Sequence, residues 1–301
     1  MKRAGLTLWA LSTAACLAMS NCIAAAPDDS PIAASPIYLR LPNQELVQFS
    51  GLLNDEYVGG TPANFLYPGG VVGLVVGVIT QSAVESHKQN KQKQSMHELA
   101  DRVLVPYQPT LSRFTYRELM QRALDGLPTA ASKTLLKFQD PAGTGLTIEC
   151  APVFFMTRDT LSLVMENPIL IHADTANAKA PPAFKNMVKI VAKPRRQRAE
   201  GEADSWITPD GAELEAVAIE ELRDSLNLAL TEAAQGFLNH STEYRNVHYL
   251  EGSREKVEHA QVLADLPDHL ILKTLRGWIM SVPAGPAIDA KLSAAAGQAA
   301  Q

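Results

Sequence analysis

Cysteine is scarce in this chain, three among 301 residues, and two of the three, Cys16 and Cys22, lie in the first 25. That excludes a disulfide-dense scaffold. An excess of basic charge is missing too: Lys and Arg number 27 against 32 Asp and Glu, a formal net charge of −5, so no chain-wide nucleic-acid footprint is expected. The familiar catalytic signatures are also lacking. There is no G-x-S-x-G elbow, H-E-x-x-H, C-x-x-C or P-loop, and no G-x-G-x-x-G that opens a helix after a strand. These absences lower the prior for an enzyme without abolishing it, and no cofactor or metal is expected.

What is present begins with an export signal. Lys2 and Arg3 precede an uncharged stretch that runs to Pro27 and ends in small residues, the layout of a secretory signal peptide over residues 1–25 with cleavage after Ala24 or Ala25. Its apolar centre is interrupted by Thr7, Ser12 and Thr13, which makes a retained membrane anchor the weaker reading. Cys16, after Thr13, Ala14 and Ala15, is the better of two lipid-anchor candidates, although neither cysteine has a good lipoprotein context. Removing the signal leaves 25 of the 27 basic residues against 32 acidic ones, a net charge of −7, and one thiol, Cys150. The setting LTIECAPVFF reads as a buried strand in which Cys150 is small apolar packing rather than a nucleophile.

The most informative segment of the exported chain runs from Tyr57 to Val84 without a charge. Within it Gly69, Gly73 and Gly77 stand four apart, which on an α-helix places them on nearly one face where another backbone can approach closely. Two readings compete: a buried element of a soluble domain, or a glycine-zipper helix that packs on a partner or at a membrane. The uninterrupted apolar core, Gly69 to Ile79, is too short to span a bilayer alone. Downstream, Lys88, Lys91 and Lys93 among glutamines read as a solvated extension of the helix, or as a basic collar at anionic headgroups. His87 and His97 do not form a ligand pair.

The rest predicts an α+β fold, an antiparallel sheet packed by amphipathic helices. Pro27 to Pro36 is a linker, with a short strand at Ile37 to Arg40. Thr115 and Glu118 form a capping box ahead of an apolar stripe from Tyr116 to Leu127, stopped by Pro128. Thr134 to Phe138, Leu146 to Met156 and Thr160 to Ile171 predict strands, joined as hairpins by DPAGTG and by the Arg158–Asp159 pair. Met187 to Ala192 could add a strand. KPRRQRAEGEAD, with Lys193, Arg195, Arg196 and Arg198 ahead of Glu200, Glu202 and Asp204, reads as an exposed mixed-sign loop, with a polyanion site as the minority view.

Thr208 and Pro209 start the longest helix, with a stripe of Leu214, Val217, Leu222, Leu226, Ala229, Leu230, Ala233 and Phe237 and with Glu220 and Glu221 facing solvent. Val247 to Leu250, Glu255 to Ala264, Leu270 to Leu275 and Ile279 to Val282 suggest a closing meander. Gly252–Ser253 is a turn, and His172 with Asp174 is a strand-end loop before it is a metal trace. His240, His248, His259 and His269 fall on separate elements. The organisation is thus a signal at 1–25, a linker and N-terminal extension at 26–64, the glycine-spaced helix with its polar extension at 65–103, an α+β domain at 104–283 and a flexible tail at 284–301.

The signal, the GGVVGLVVG block with its polar continuation, the strand hairpin, the long helix and the string from Thr274 to Pro283 together resemble uncharacterised proteobacterial envelope proteins catalogued among lipoproteins. The resemblance implies a location and no activity. The expected function is therefore a non-enzymatic binding or assembly module in the periplasm or at the outer membrane, with Gly69, Gly73 and Gly77 as its helix-packing residues. An envelope protein or a second copy is the expected partner, membrane contact is open, and nucleic acid is not expected. The alternatives are a hydrolase-like periplasmic enzyme with an unrecognised site, or a small-ligand-binding module.

Overall fold

The computed structural model describes residues 35–53, 96–173, 182–195, 206, 211–234 and 243–284. Gly69, Gly73, Gly77, Cys16, the signal, the lysine cluster and the tail after residue 284 lie outside the described residues. The fold is a mixed α+β arrangement of one large sheet and a few helices.

Four short strands open the sheet in two matched pairs. β1 (Ile37–Arg40) and β2 (Gln48–Gly51) run parallel to β4 (Leu146–Cys150) and β5 (Val153–Met156) respectively. The stretch Leu146 to Met156 is therefore two strands rather than one. Pro152, with no N–H to offer a ladder, sits at the break, and its carbonyl accepts a 2.8 Å hydrogen bond from the Tyr116 hydroxyl. Both halves pair antiparallel with β6 (Leu163–His172), which in turn pairs with β7 (Phe184–Val191).

DPAGTG does not close a hairpin. β1 lies between β3 (Lys133–Leu136) and β4 and is parallel to both, so residues 137–145 form a crossover. Arg40 fixes that crossover by donating to the carbonyls of Phe138 and Asp140 at 2.9 and 2.6 Å. Together with the parallel pairing of β7 with β11 (Ile279–Pro283), this makes the sheet mixed, not antiparallel. Alternation of side chains along a strand could not reveal this, because it specifies which face is buried and not which strand is the neighbour.

The C-terminal meander forms as the pattern predicts: β8 (Tyr244–Glu251), β9 (Arg254–Asp265) and β10 (His269–Thr274) lead into β11, each antiparallel to the next.

One face of the sheet carries the larger core. A helical stretch covers residues 96–111 and ends in α1 (Gln108–Leu111). α2 (Tyr116–Asp125) starts at Thr115, whose side chain accepts from the Glu118 amide at 3.2 Å, and buries Tyr116, Leu119, Met120, Ala123 and Leu124. α3 (Ala212–Ala234) packs on α2, β6 and β7 with Leu214, Leu222, Leu226 and Ala229 buried.

The opposite face holds a second core of Val153, Phe155, Val164 and Val191 against Val247, Tyr249, Leu272, Met280 and Val282. The β8–β9 hairpin curls back over β5, β6 and β7 to enclose it. Each fully buried aliphatic or aromatic side chain of this kind contributes about 1.5–3 kcal/mol of transfer free energy.

Candidate functional site

The curled hairpin brings two turns together. Gly252, in the β8–β9 turn, has φ +63, and a Cβ there would lie 2.5 Å from an Asp159 oxygen, so both conformation and space demand glycine. Its amide donates to Ser162 Oγ at 3.1 Å. Asp159, in the β5–β6 turn, accepts from the Ser253 amide at 2.6 Å, from Thr157 Oγ1 at 2.7 Å and from the Leu161 amide at 3.1 Å. Partial burial would raise its pKa, but these donors, with the Ser253 hydroxyl first, hold the carboxyl below the usual carboxylate range.

Next to Asp159, Thr160 sits at φ 57, a left-handed conformation that is uncommon for a β-branched residue. It is held there by its backbone N–H, which donates to the Thr157 carbonyl at 2.9 Å, and by the indole N–H of buried Trp206, which donates to the Thr160 carbonyl.

Where the two turns meet, a cleft of about 400 Å³ opens, lined by Leu52, Leu53, Thr157, Arg158, Asp159, Glu251, Ser253, Arg254 and Lys256. Its floor is an ion-pair network. Buried Glu251 meets Lys189 of β7 at 3.3 Å and Lys256 at 3.8 Å. Burial alone would lower the Lys189 pKa, but the neighbouring charges of Glu251, then Tyr249 and Glu166, keep its ammonium protonated far above the ordinary lysine range. Asp159 and Glu251 are thus fully committed to internal partners. The side chains of Arg158 and Arg254 are exposed and make no hydrogen bond or ion pair with the described residues.

The histidines stay apart in role. His248 Nδ1 lies 2.8 Å from Glu255, His259 Nδ1 lies 2.9 Å from Asn246, and His269 begins β10. His172 ends β6, while Asp174 and His240 lie outside the described residues. Among the described residues no group of three or more His, Cys, Asp or Glu is placed to hold a metal ion, and no helix is long and apolar enough to cross a membrane.

Arg195 is not part of a free polyanion surface: it stacks 3.8 Å over the Trp206 ring and pairs with Glu213. Cys150 is buried in β4, and burial pushes its thiol up to about 12.

The Glu220–Glu221 pair needs correction. Glu221 is only 3% exposed and neither of its oxygens has a hydrogen-bond partner among the described residues, so burial, followed by the charges of Asp224 and Glu220, drives its pKa well above the carboxylate range. One turn further along α3, buried Ser225 accepts a 2.9 Å bond from Asn167 of β6. The helix therefore meets the sheet across a polar strip that hydropathy spacing reads as solvent-facing.

Sequence reasoning treated Arg158–Asp159 and Gly252–Ser253 as two separate turns. Their meeting depends on the curl of β8–β9, a long-range feature that no local pattern encodes. The available signal was the coincidence of an acid in one turn with Gly-Ser in the other, a pair suited to carboxylate–amide capture.

The region where the glycine-spaced stretch joins the fold is equally defined. Ser50 Oγ and the Gly51 amide both donate to the Asp101 carboxylate, at 2.6 and 2.7 Å. The described residues on either side of 54–95 are thus fastened to each other at this place. No family model, curated protein or solved structure matches this chain.

Proposed function

We propose that the chain is an exported, non-enzymatic binding or assembly module of the bacterial cell envelope, with the glycine-spaced stretch as its contact element. In this reading residues 1–25 are the signal peptide, Cys16 is the lipid-anchor candidate, and the mature protein works in the periplasm or at the outer membrane. Gly69, Gly73 and Gly77 form a smooth helical ridge that packs against a second copy, an envelope protein or a membrane-embedded helix.

The observation that carries this reading is the fastening of Gly51 to Asp101. It brings together two described positions, 50 residues apart in sequence, that flank the glycine-spaced stretch. With its flanks fixed side by side, the stretch between them can present the glycine ridge as one contact element. The resemblance to proteobacterial envelope proteins supports the same location.

The test is sodium-carbonate extraction combined with size analysis of the mature protein and of a Gly73→Leu variant. Retention in membranes or self-association in the parent, lost on substitution, is expected. Complete release of a monomeric parent refutes the role. The cleft favours a second reading, a small-ligand-binding module, and a hydrolase-like enzyme remains the third.

A further inference from the structure

The cleft between the β5–β6 and β8–β9 turns has unspent charge of one sign. Of its ionised lining groups, Asp159 is consumed by its ring of donors, and Glu251 and Lys256 by one another and by Lys189. The side chains of Arg158, in the β5–β6 turn, and Arg254, where β9 leaves the β8–β9 turn, are left without a partner among the described residues. The turns that carry them are locked together by the Ser253–Asp159 and Gly252–Ser162 hydrogen bonds, so the two guanidinium-bearing backbones have a fixed relation before any ligand arrives. Leu52 and Leu53 supply an apolar wall on the same cleft.

We infer that this cleft binds a small organic anion, gripping its carboxylate or phosphate between Arg158 and Arg254 while a short apolar body lies on Leu52 and Leu53. A guanidinium offers a planar fork of donors that matches two oxygens of an oxyanion, and two such forks lining one cleft select an anion over a neutral ligand. The cleft volume of about 400 Å³ suits a ligand of this size. Aromatic or sugar-like ligands are not favoured, because no aromatic ring lines the cleft among the described residues. The proposed anion-binding residues are not Gly69, Gly73 or Gly77, so substitutions at the arginines and at Gly73 test the two roles separately.

The experiment titrates the mature protein with hexanoate, hexyl phosphate and inorganic phosphate, followed by backbone-amide NMR. Saturable shifts centred on Ser253, Leu161 and Leu53 are expected with hexanoate or hexyl phosphate. The tighter of the two identifies the headgroup, and weaker binding of inorganic phosphate shows the share of the apolar wall.

Arg158→Gln and Arg254→Gln should each weaken binding by about tenfold, the loss expected for a charge-assisted hydrogen bond, with the unliganded melting temperature unchanged. Lys193→Gln, which removes an exposed cation paired with Asp268 elsewhere, should leave binding intact. Absence of saturable shifts with all three probes, unchanged affinity in the double arginine variant, or an equal loss in Lys193→Gln would overturn the assignment.

Discussion

The Gly51 amide donates to the Asp101 carboxylate at 2.7 Å, joining positions 50 residues apart in sequence. The same glycine lies so close to the Ala100 carbonyl that a Cβ would stand 2.0 Å from its oxygen. β2 and the helical stretch ahead of α1 are therefore in backbone contact. This closes the ends of the chain segment between them and leaves the sheet's first strands in place.

Gly51→Ala should force β2 away from residue 100 and destabilise the protein by about 1–3 kcal/mol, the cost of overpacking a close contact. Asp101→Asn keeps the shape but weakens the charge-assisted bonds, and should cost less. Urea midpoints at constant m-value check both.

Cys150 should be inert in the native state. It is buried within the larger core and its thiol is pushed up to about 12 by burial, so at neutral pH almost no thiolate exists to react. Alkylation should proceed only through unfolding, with a rate that rises with urea. Rapid stoichiometric labelling in native buffer would contradict this.

Glu221 should give stability a pH dependence of definite sign. In the unfolded chain it ionises near its ordinary value, about 4.3, whereas in the fold it stays protonated well above that. The unfolded state therefore binds fewer protons above about pH 4.3. Stability contributed by this group is complete below that pH and falls as pH rises toward the folded value, by up to about 1.4 kcal/mol per unit. Glu221→Gln should flatten this fall and be more stable than the parent at neutral pH. An identical pH profile in parent and variant would show that Glu221 is not buried as described.

Lys189 should behave in the opposite range. Its pKa is raised by Glu251 against the effect of burial, so the stability it contributes is complete below the ordinary lysine value, about 10.4, and is lost as pH climbs through the folded one. Lys189→Met removes the closer of Glu251's two partners and leaves a buried carboxylate with Lys256 alone at 3.8 Å. A loss of about 3 kcal/mol at neutral pH is expected from breaking a buried pair. Thermal melts of Lys189→Met and of the double variant with Glu251→Gln check it, the double variant recovering part of the loss.

The elements that sequence made legible are those whose signal is local. The Thr115 cap, the α2 stripe ending before Pro128, the long helix and the C-terminal meander each follow from residues within a few positions of one another. Strand neighbours were not legible. The hairpin at DPAGTG gives way to β1, and one strand becomes β4 and β5 at Pro152, because pairing is decided by distant chain segments competing for the same edge.

The cleft was illegible for the same reason: Arg158 and Arg254 acquire a common purpose only when β8–β9 folds over the second core. Glu221 misled because its neighbour Glu220 is indeed on the solvent side, and one helical step of about 100° separates an exposed acid from a buried one.

The most direct measurement of the envelope-contact role is in-cell site-specific photocrosslinking at Val72, beside Gly73, in the full-length protein and in Gly73→Leu. The account predicts a discrete crosslinked product, a second copy or an envelope component, that disappears with the leucine. The same product in both proteins, or none in the parent while the protein is exported and folded, would contradict it.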